Sequence, residues 1–271
     1  MAQFSRFSFP LFVPGTRPDR FAKARAAGAD LVIVDLEDAV AESEKDAARD
    51  AVAAALSESG DGAPVFVRIN GADTEWHPRD LSAVSGLPID GLVLPKAEDG
   101  AGLDRVRTAL GDEMKLIALV ESATGIANVR EVARHCDRIA FGSIDFAADV
   151  GCAHERDALL FARSEVVLAA RLSGQPAPVD GVTTAVSDAA LIEADAAYGA
   201  MLGFAGKLLI HPAQLAPAKR GYAPAPDRVD WAKRIIAASV DGAARSVDGQ
   251  MVDAPVLAQA RDILGRLEAL T

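Results

Sequence analysis

Cysteine is nearly absent from the chain: Cys136 and Cys152 are the only two among 271 residues. Two thiols in ordinary settings make neither a disulfide framework nor a zinc site, and the expectation is a pair of reduced cysteines in a cytoplasmic protein. Aromatic residues are scarce at 5%, so the core must be built from small aliphatic side chains, which suits strands covered on both faces. No basic tract occurs, and the formal net charge is −11. Such a field repels phosphate backbones and argues against a nucleic-acid partner, while leaving room for a local pocket that takes one anionic group. No stretch approaches the roughly 18 uninterrupted apolar residues that span a bilayer, so no membrane segment is expected. Met1 to Ser8 lack the apolar run of a signal peptide. No GxGxxG opens the first helix, which weakens a dinucleotide-binding reading.

What is present is regular. Short apolar runs bounded by Gly and Pro recur at Pro10–Val13, Leu31–Leu36, Val65–Ile69, Gly91–Leu94, Leu116–Val120, Arg138–Phe141, Val179–Val182 and Leu208–Ile210. Most are rich in Val, Ile and Leu without polar alternation, as strands buried on both faces are. Between them, Arg20–Ala27, Ser43–Leu56, Leu103–Leu110, Ile126–His135, Asp157–Leu172 and Asp188–Leu202 have helical period. Strand and helix alternating to eight predict an α/β fold, a (β/α)₈ TIM barrel over residues 1–220. Residues 221–271 predict a C-terminal helical arm or lid with helices at Arg228–Val240 and Pro255–Leu270, joined by loops around Asp248-Gly249-Gln250. A closed barrel does not need that arm, and it is expected to pack on a neighbouring subunit.

In such a barrel the chemistry sits where strands end. Here the strand ends carry Asp35-Leu36-Glu37-Asp38, Arg68-Ile69-Asn70, Pro95-Lys96, Glu121-Ser122, Gly142-Ser143-Ile144-Asp145 and His211-Pro212. A carboxylate at a strand end also serves as a helix N-cap, and Lys96 also fits a solvated loop. Arg68 is harder to dismiss: after Val65-Phe66-Val67 it must meet a carboxylate or an anionic ligand. Glu121 and Asp145 offer two hard oxygen ligands, matching Mg²⁺, which takes one or two protein carboxylates and keeps several waters. The remaining coordination positions would chelate a 2-keto acid, with Arg68 steadying a developing oxyanion. Asp35, Glu37 and Asp38 fit a supporting shell that sets local pKa values. Together these residues predict the making or breaking of a carbon–carbon bond beside a carbonyl.

The ordered segments Phe12-Val13-Pro14-Gly15-Thr16-Arg17-Pro18, Asp35-Leu36-Glu37-Asp38-Ala39-Val40, Val67-Arg68-Ile69-Asn70 and Leu94-Pro95-Lys96 resemble the citrate lyase beta-subunit-like family of the HpcH/HpaI aldolase/citrate lyase superfamily. So do Val120-Glu121-Ser122-Ala123-Thr124-Gly125, Phe141-Gly142-Ser143-Ile144-Asp145-Phe146, Gly206-Lys207 with Ile210-His211-Pro212, and Gly249-Gln250-Met251-Val252-Asp253-Ala254-Pro255. The resemblance covers nearly the whole chain.

It implies a TIM barrel, usually trimeric, with Mg²⁺ on Glu121 and Asp145 and with Arg68 binding the keto acid and the thioester enolate. It also implies that Asp253 enters a neighbouring subunit's site as the acid that protonates the enolate; its other reading is the N-cap of the last helix, since Pro255 sits near N1. Coenzyme A is implied over the mouth near Pro14, with Arg17 and Lys23 as candidates for its phosphates; both also read as solvated surface cations. The activity implied is Mg²⁺-dependent cleavage of a hydroxyacyl-CoA such as (S)-citramalyl-CoA to acetyl-CoA and pyruvate. Malyl-CoA lyase, citrate lyase beta subunit, an aldolase for a free hydroxy-keto acid and a non-catalytic acyl-CoA-binding subunit remain alternatives. No residue in the sequence selects the keto acid, since a methyl group is worth only about 1–3 kcal/mol.

Overall fold

A computed structural model describes residues 9–58, 60–111, 113–238, 245–247 and 250–270. Its centre is one parallel sheet in sequential order: β1 (Pro10–Pro14), β2 (Leu31–Asp35), β3 (Val65–Arg68), β4 (Gly91–Leu94), β5 (Lys115–Val120) and β6 (Arg138–Phe141). The two remaining expected strands enter as single bridges rather than full ladders. Ala140 pairs with Val179, Asp180 with Lys207, and Leu11 with Leu209, all in parallel sense.

Helices cover the outer face. They are α1 (Phe21–Arg25), α2 (Lys45–Ala55), α3 (His77–Val84), α4 (Gly100–Leu110), α5 (Ala123–Ala127), α6 (Val129–Val132), α7 (Ser143–Val150), α8 (Arg156–Leu172), α9 (Ala189–Leu202) and α10 (Leu215–Tyr222). The sequence expectation of one helix over Ile126–His135 is met by two short ones hinged at Asn128, and α3, α7 and α10 had no counterpart in it. In the arm, α11 (Pro226–Ala238) and α12 (Ala254–Leu270) flank an antiparallel hairpin, β7 (Arg245–Val247) with β8 (Gln250–Val252). The expectation of loop around Asp248 and Gly249 lies outside the described residues, whereas Gln250 is strand. Val229, Ala232 and Ile235 of α11 pack with Val252, Leu257, Ala260 and Ile263 as a small core separate from that of the sheet.

The sheet residues alternate between two apolar layers. Val32 and Val34, Val65 and Val67, and Leu116, Ala118 and Val120 pack outward against the helices. Leu31 and Ile33, Phe66, and Ile117 and Leu119 form the inner layer. Each Val, Leu, Ile or Phe among them, fully buried, contributes about 1.5–3 kcal/mol. That two-residue period fixes the site. Two positions beyond Ile33, Phe66 and Leu119, on the same inner face, come Asp35, Arg68 and Glu121.

Candidate active site at the strand ends

Asp35, Arg68 and Glu121 are 1%, 7% and 3% exposed, so the inner layer delivers charge into a dry position that needs partners. Arg68 Nε and Nη2 donate to the two carboxylate oxygens of Asp35 at 2.7 and 2.6 Å, a bidentate fork. Its Nη1 lies 3.0 Å from Glu37 and 3.2 Å from Asp38. The guanidinium also sits over the Phe12 ring, 4.9 Å from its centroid. Despite burial, the surrounding carboxylates, Asp35 first, raise its pKa above the ordinary arginine range. The expectation that Arg68 must find a carboxylate is met three times over.

The register of β2 makes this possible. Asp35 also accepts from the backbone N–H groups of Glu37 at 2.9 Å and Ala39 at 3.1 Å, which turns the chain sharply after β2. Glu37 is thereby tucked behind Arg68, off the cavity wall, while Asp38 stays on it. Burial pushes the Glu37 carboxyl up to about 7, against the pull of Arg68.

Glu121 is held from the other side. Its Oε1 accepts the backbone N–H of Lys96 at 2.8 Å. Lys96 has a φ of +48°, the only non-glycine residue in that region among the described residues, a conformation that costs an L-residue about 1–2 kcal/mol. Glu121 Oε2 is buried and accepts no hydrogen bond from any described residue. Burial, then the neighbouring Glu37, pushes the Glu121 carboxyl up to about 8. A Cβ at Gly142 would collide with the Glu121 carboxylate, so only glycine lets α7 begin there. Asp145, in the first turn of α7, opens on the same cavity, and burial followed by Asp38 raises its pKa.

The cavity holds about 360 Å³, the scale of a small ligand. Pro14, Asp38, Arg68, Glu121 and Asp145 line it, as expected from the sequence; Lys96, Arg17 and Lys23 do not. The Lys96 ammonium is 3.8 Å from Glu37. Arg17 is half-exposed and engaged with Asp19 at 2.8 Å, and Lys23 is exposed on α1. Asp253 is exposed at the start of α12, where it accepts the Val256 N–H at 3.2 Å, its capping role. Sequence reasoning missed Gly142 as a functional position; its signal was a small residue directly before a carboxylate-bearing helix start. It also missed Phe12 as the platform under Arg68.

An uncompensated buried carboxylate oxygen beside a second carboxylate, in a walled cavity, is what a divalent cation would relieve. Among the described residues no cluster of three or more Asp, Glu, His and Cys side chains is arranged for a metal. Two carboxylates facing one cavity would suit Mg²⁺, which takes one or two protein carboxylates and keeps positions for water or substrate.

The sequence profile of the HpcH/HpaI aldolase/citrate lyase family matches residues 8–212. The chain belongs to that family. Among HpcH/HpaI relatives, a citrate lyase subunit beta-like protein of Deinococcus radiodurans is 38% identical over 94% of this chain and 95% of its own length. A (3S)-malyl-CoA thioesterase of Cereibacter sphaeroides is 36% identical over 97% of this chain and 95% of its own. Family structures agree: CitE of Mycobacterium tuberculosis, in complex with magnesium, acetoacetate and coenzyme A, superposes with a TM-score of 0.85 at 35% identity, covering 97% of this chain and 98% of that one. The citrate lyase beta subunit of M. tuberculosis complexed with oxaloacetate and magnesium gives 0.71 at 35% identity, with 81% and 99% covered.

Proposed function

We propose that this chain is a Mg²⁺-dependent carbon–carbon lyase that splits a hydroxyacyl-CoA, such as (S)-citramalyl-CoA, into acetyl-CoA and a 2-keto acid such as pyruvate. The observation that carries the proposal is the buried, unpartnered Glu121 oxygen facing the same cavity as Asp145. Glu121 and Asp145 are the residues we assign to the metal, which would supply a Lewis acid for the keto oxygen and carboxylate. Arg68, fixed by Asp35, presents positive charge to the enolate oxygen that develops as the bond breaks. Glu37 acts through Arg68 and Lys96, and Asp38, half free at the wall, relays the hydroxyl proton outward. Asp253 returns a proton to the enolate carbon from a neighbouring copy's arm, and Pro14 with Arg17 and Lys23 borders the path of coenzyme A.

The same proposal includes architecture. The Val179–Asp180 and Lys207–Leu209 segments act as seventh and eighth staves of a (β/α)₈ barrel, supported by the bridges from β6 round to β1. The arm expected over 221–271 starts in our reading at α11, supported by its separate small core, because Tyr222 at the end of α10 packs in the core of the sheet, and the assembly is a homotrimer. The two free cysteines fit a reducing, cytoplasmic setting.

The test is turnover of citramalyl-CoA with Mg²⁺, followed by pyruvate release. Glu121→Gln and Asp145→Asn should each lower kcat/KM by about 10²-fold or more; wild-type rates in either would refute the metal assignment. A second reading, hydrolysis of a malyl thioester, is favoured by the similarity to the C. sphaeroides thioesterase. Free thiol appearing without keto acid would select it.

A further inference from the structure

A second cavity, of about 590 Å³, lies where the start of α8, the residues after Asp180 and the first turns of α9 meet. Among the described residues, Val182 alone borders both this cavity and the active one. Its wall holds Arg163, which sits mid-way along α8 and is 6% exposed. The Arg163 Nε donates to Asp180 at 2.9 Å. Its guanidinium lies 5.8 Å from the Phe141 ring centroid and 5.7 Å from that of Tyr198, so aromatic rings take up its faces. Its outer edge, Nη1 and Nη2, donates to no acceptor among the described residues. Asp180 is shared, since the buried Lys207 ammonium stands 3.9 Å from its other oxygen. Asp195, the other carboxylate set into this wall, is engaged by Arg156 at 2.9 Å and by the Thr183 hydroxyl at 3.0 Å.

We propose that this cavity is a second ligand site, distinct from the active cavity, which takes a small aliphatic monocarboxylate on the outer edge of Arg163. Two N–H groups side by side in one plane match the two oxygens of a carboxylate, which accepts both at once. A buried donor without an acceptor is costly, and a ligand oxygen removes that cost. Leu159, Leu191 and Val182 border the same cavity and give an aliphatic tail apolar contact. Glu155 and Asp157, exposed at the mouth, repel a second negative charge, which selects a monocarboxylate over a dicarboxylate or a phosphate dianion. The site stands apart from the lyase reading: none of its donors is assigned to that reaction.

The experiment is a methyl chemical-shift titration of the full chain without Mg²⁺, using butyrate, succinate and inorganic phosphate as probes. Leu159 and Leu191 border the second cavity and not the active one, so their methyl signals report on this site alone. Butyrate should shift both saturably and bind about tenfold or more tightly than succinate or phosphate. Arg163→Lys keeps the charge but loses the fork, and should weaken butyrate about tenfold or more. Because Arg163 is buried, its variant is paired with Leu191→Glu, at an exposed position in the first turn of α9 where an acidic residue suits the helix. Leu191→Glu, read at Leu159, should also weaken butyrate about tenfold, whereas Leu191→Gln should stay within about threefold of wild type. No saturable shift at Leu159 and Leu191 below about 50 mM butyrate would overturn the proposal. So would an affinity that Leu191→Glu leaves unmoved, or succinate or phosphate binding as tightly as butyrate.

Discussion

At the scale of single residues, the state of Glu121 turns on contacts made by two neighbours' backbones. The amide of Lys96 holds one carboxylate oxygen, and the bare Cα of Gly142 makes room for the other. Gly142→Ala should therefore displace the carboxylate and weaken Mg²⁺ binding by about 10- to 100-fold, with an unchanged far-ultraviolet circular dichroism spectrum. Proton linkage gives an independent check. The Glu121 carboxyl is held up to about 8 from an ordinary 4.5, so its folded form favours the neutral state. The stability this confers is complete below the ordinary value and is lost as pH climbs through about 8. A cation requires the ionised form, so Mg²⁺ should raise the melting temperature more at pH 8.5 than at pH 6. Equal shifts at both pH values would remove Glu121 from the metal site. Lys96→Gly should leave the amide contact intact and relieve the left-handed backbone, so thermal stability should be kept or rise slightly.

Among elements, α3 shows most clearly what a linear reading overlooks. Its segment, His77 to Val84, has Pro78, two charges and little apolar period, so nothing marked it as a helix. It forms because Asp80, fully buried, accepts from Arg49 of α2 at 2.8 Å and from the backbone of Asn70 at 2.9 Å, just beyond β3. That is a tertiary demand invisible to periodicity. Asp80→Ala leaves a buried arginine and an asparagine amide without their acceptor, and urea melts should show a loss of about 3–5 kcal/mol. Strands β1 to β6 were legible because they are continuous aliphatic runs; the strand ends were legible because charge abruptly follows apolar residues. The Val179 and Leu208 segments were placed correctly as extended chain, but their sparse pairing was not, because one bridge and a full ladder share the same composition. Gly142 was only half legible: a small residue just before Asp145 can be read from the sequence, but its close approach to Glu121 is a contact between β5 and α7 that neither segment shows alone.

For the whole molecule, the boundary between sheet and arm can be cut experimentally. Tyr222 is buried against Phe9, ring centroids 5.4 Å apart, and its hydroxyl donates to the Gly206 carbonyl. A chain ending at Pro224 should stay folded by circular dichroism yet lose turnover and elute as a smaller species. One ending at Arg220 should unfold at markedly lower temperature, because the Tyr222 ring leaves a void worth about 3–5 kcal/mol. Retained activity in the longer truncation would exclude Asp253 from the reaction. The uneven pairing round the sheet has a consequence of its own. Six strands are laced by ladders, whereas the stretch through Val179 and Lys207 hangs on single bridges. Amide protons there should exchange with solvent sooner than those of β2 or β5, making this seam the part of the fold that breathes. It carries Val182, Leu208 and Ile210 of the cavity wall, so the pliant side of the cavity is the aliphatic one, while the laced side keeps its charges in register.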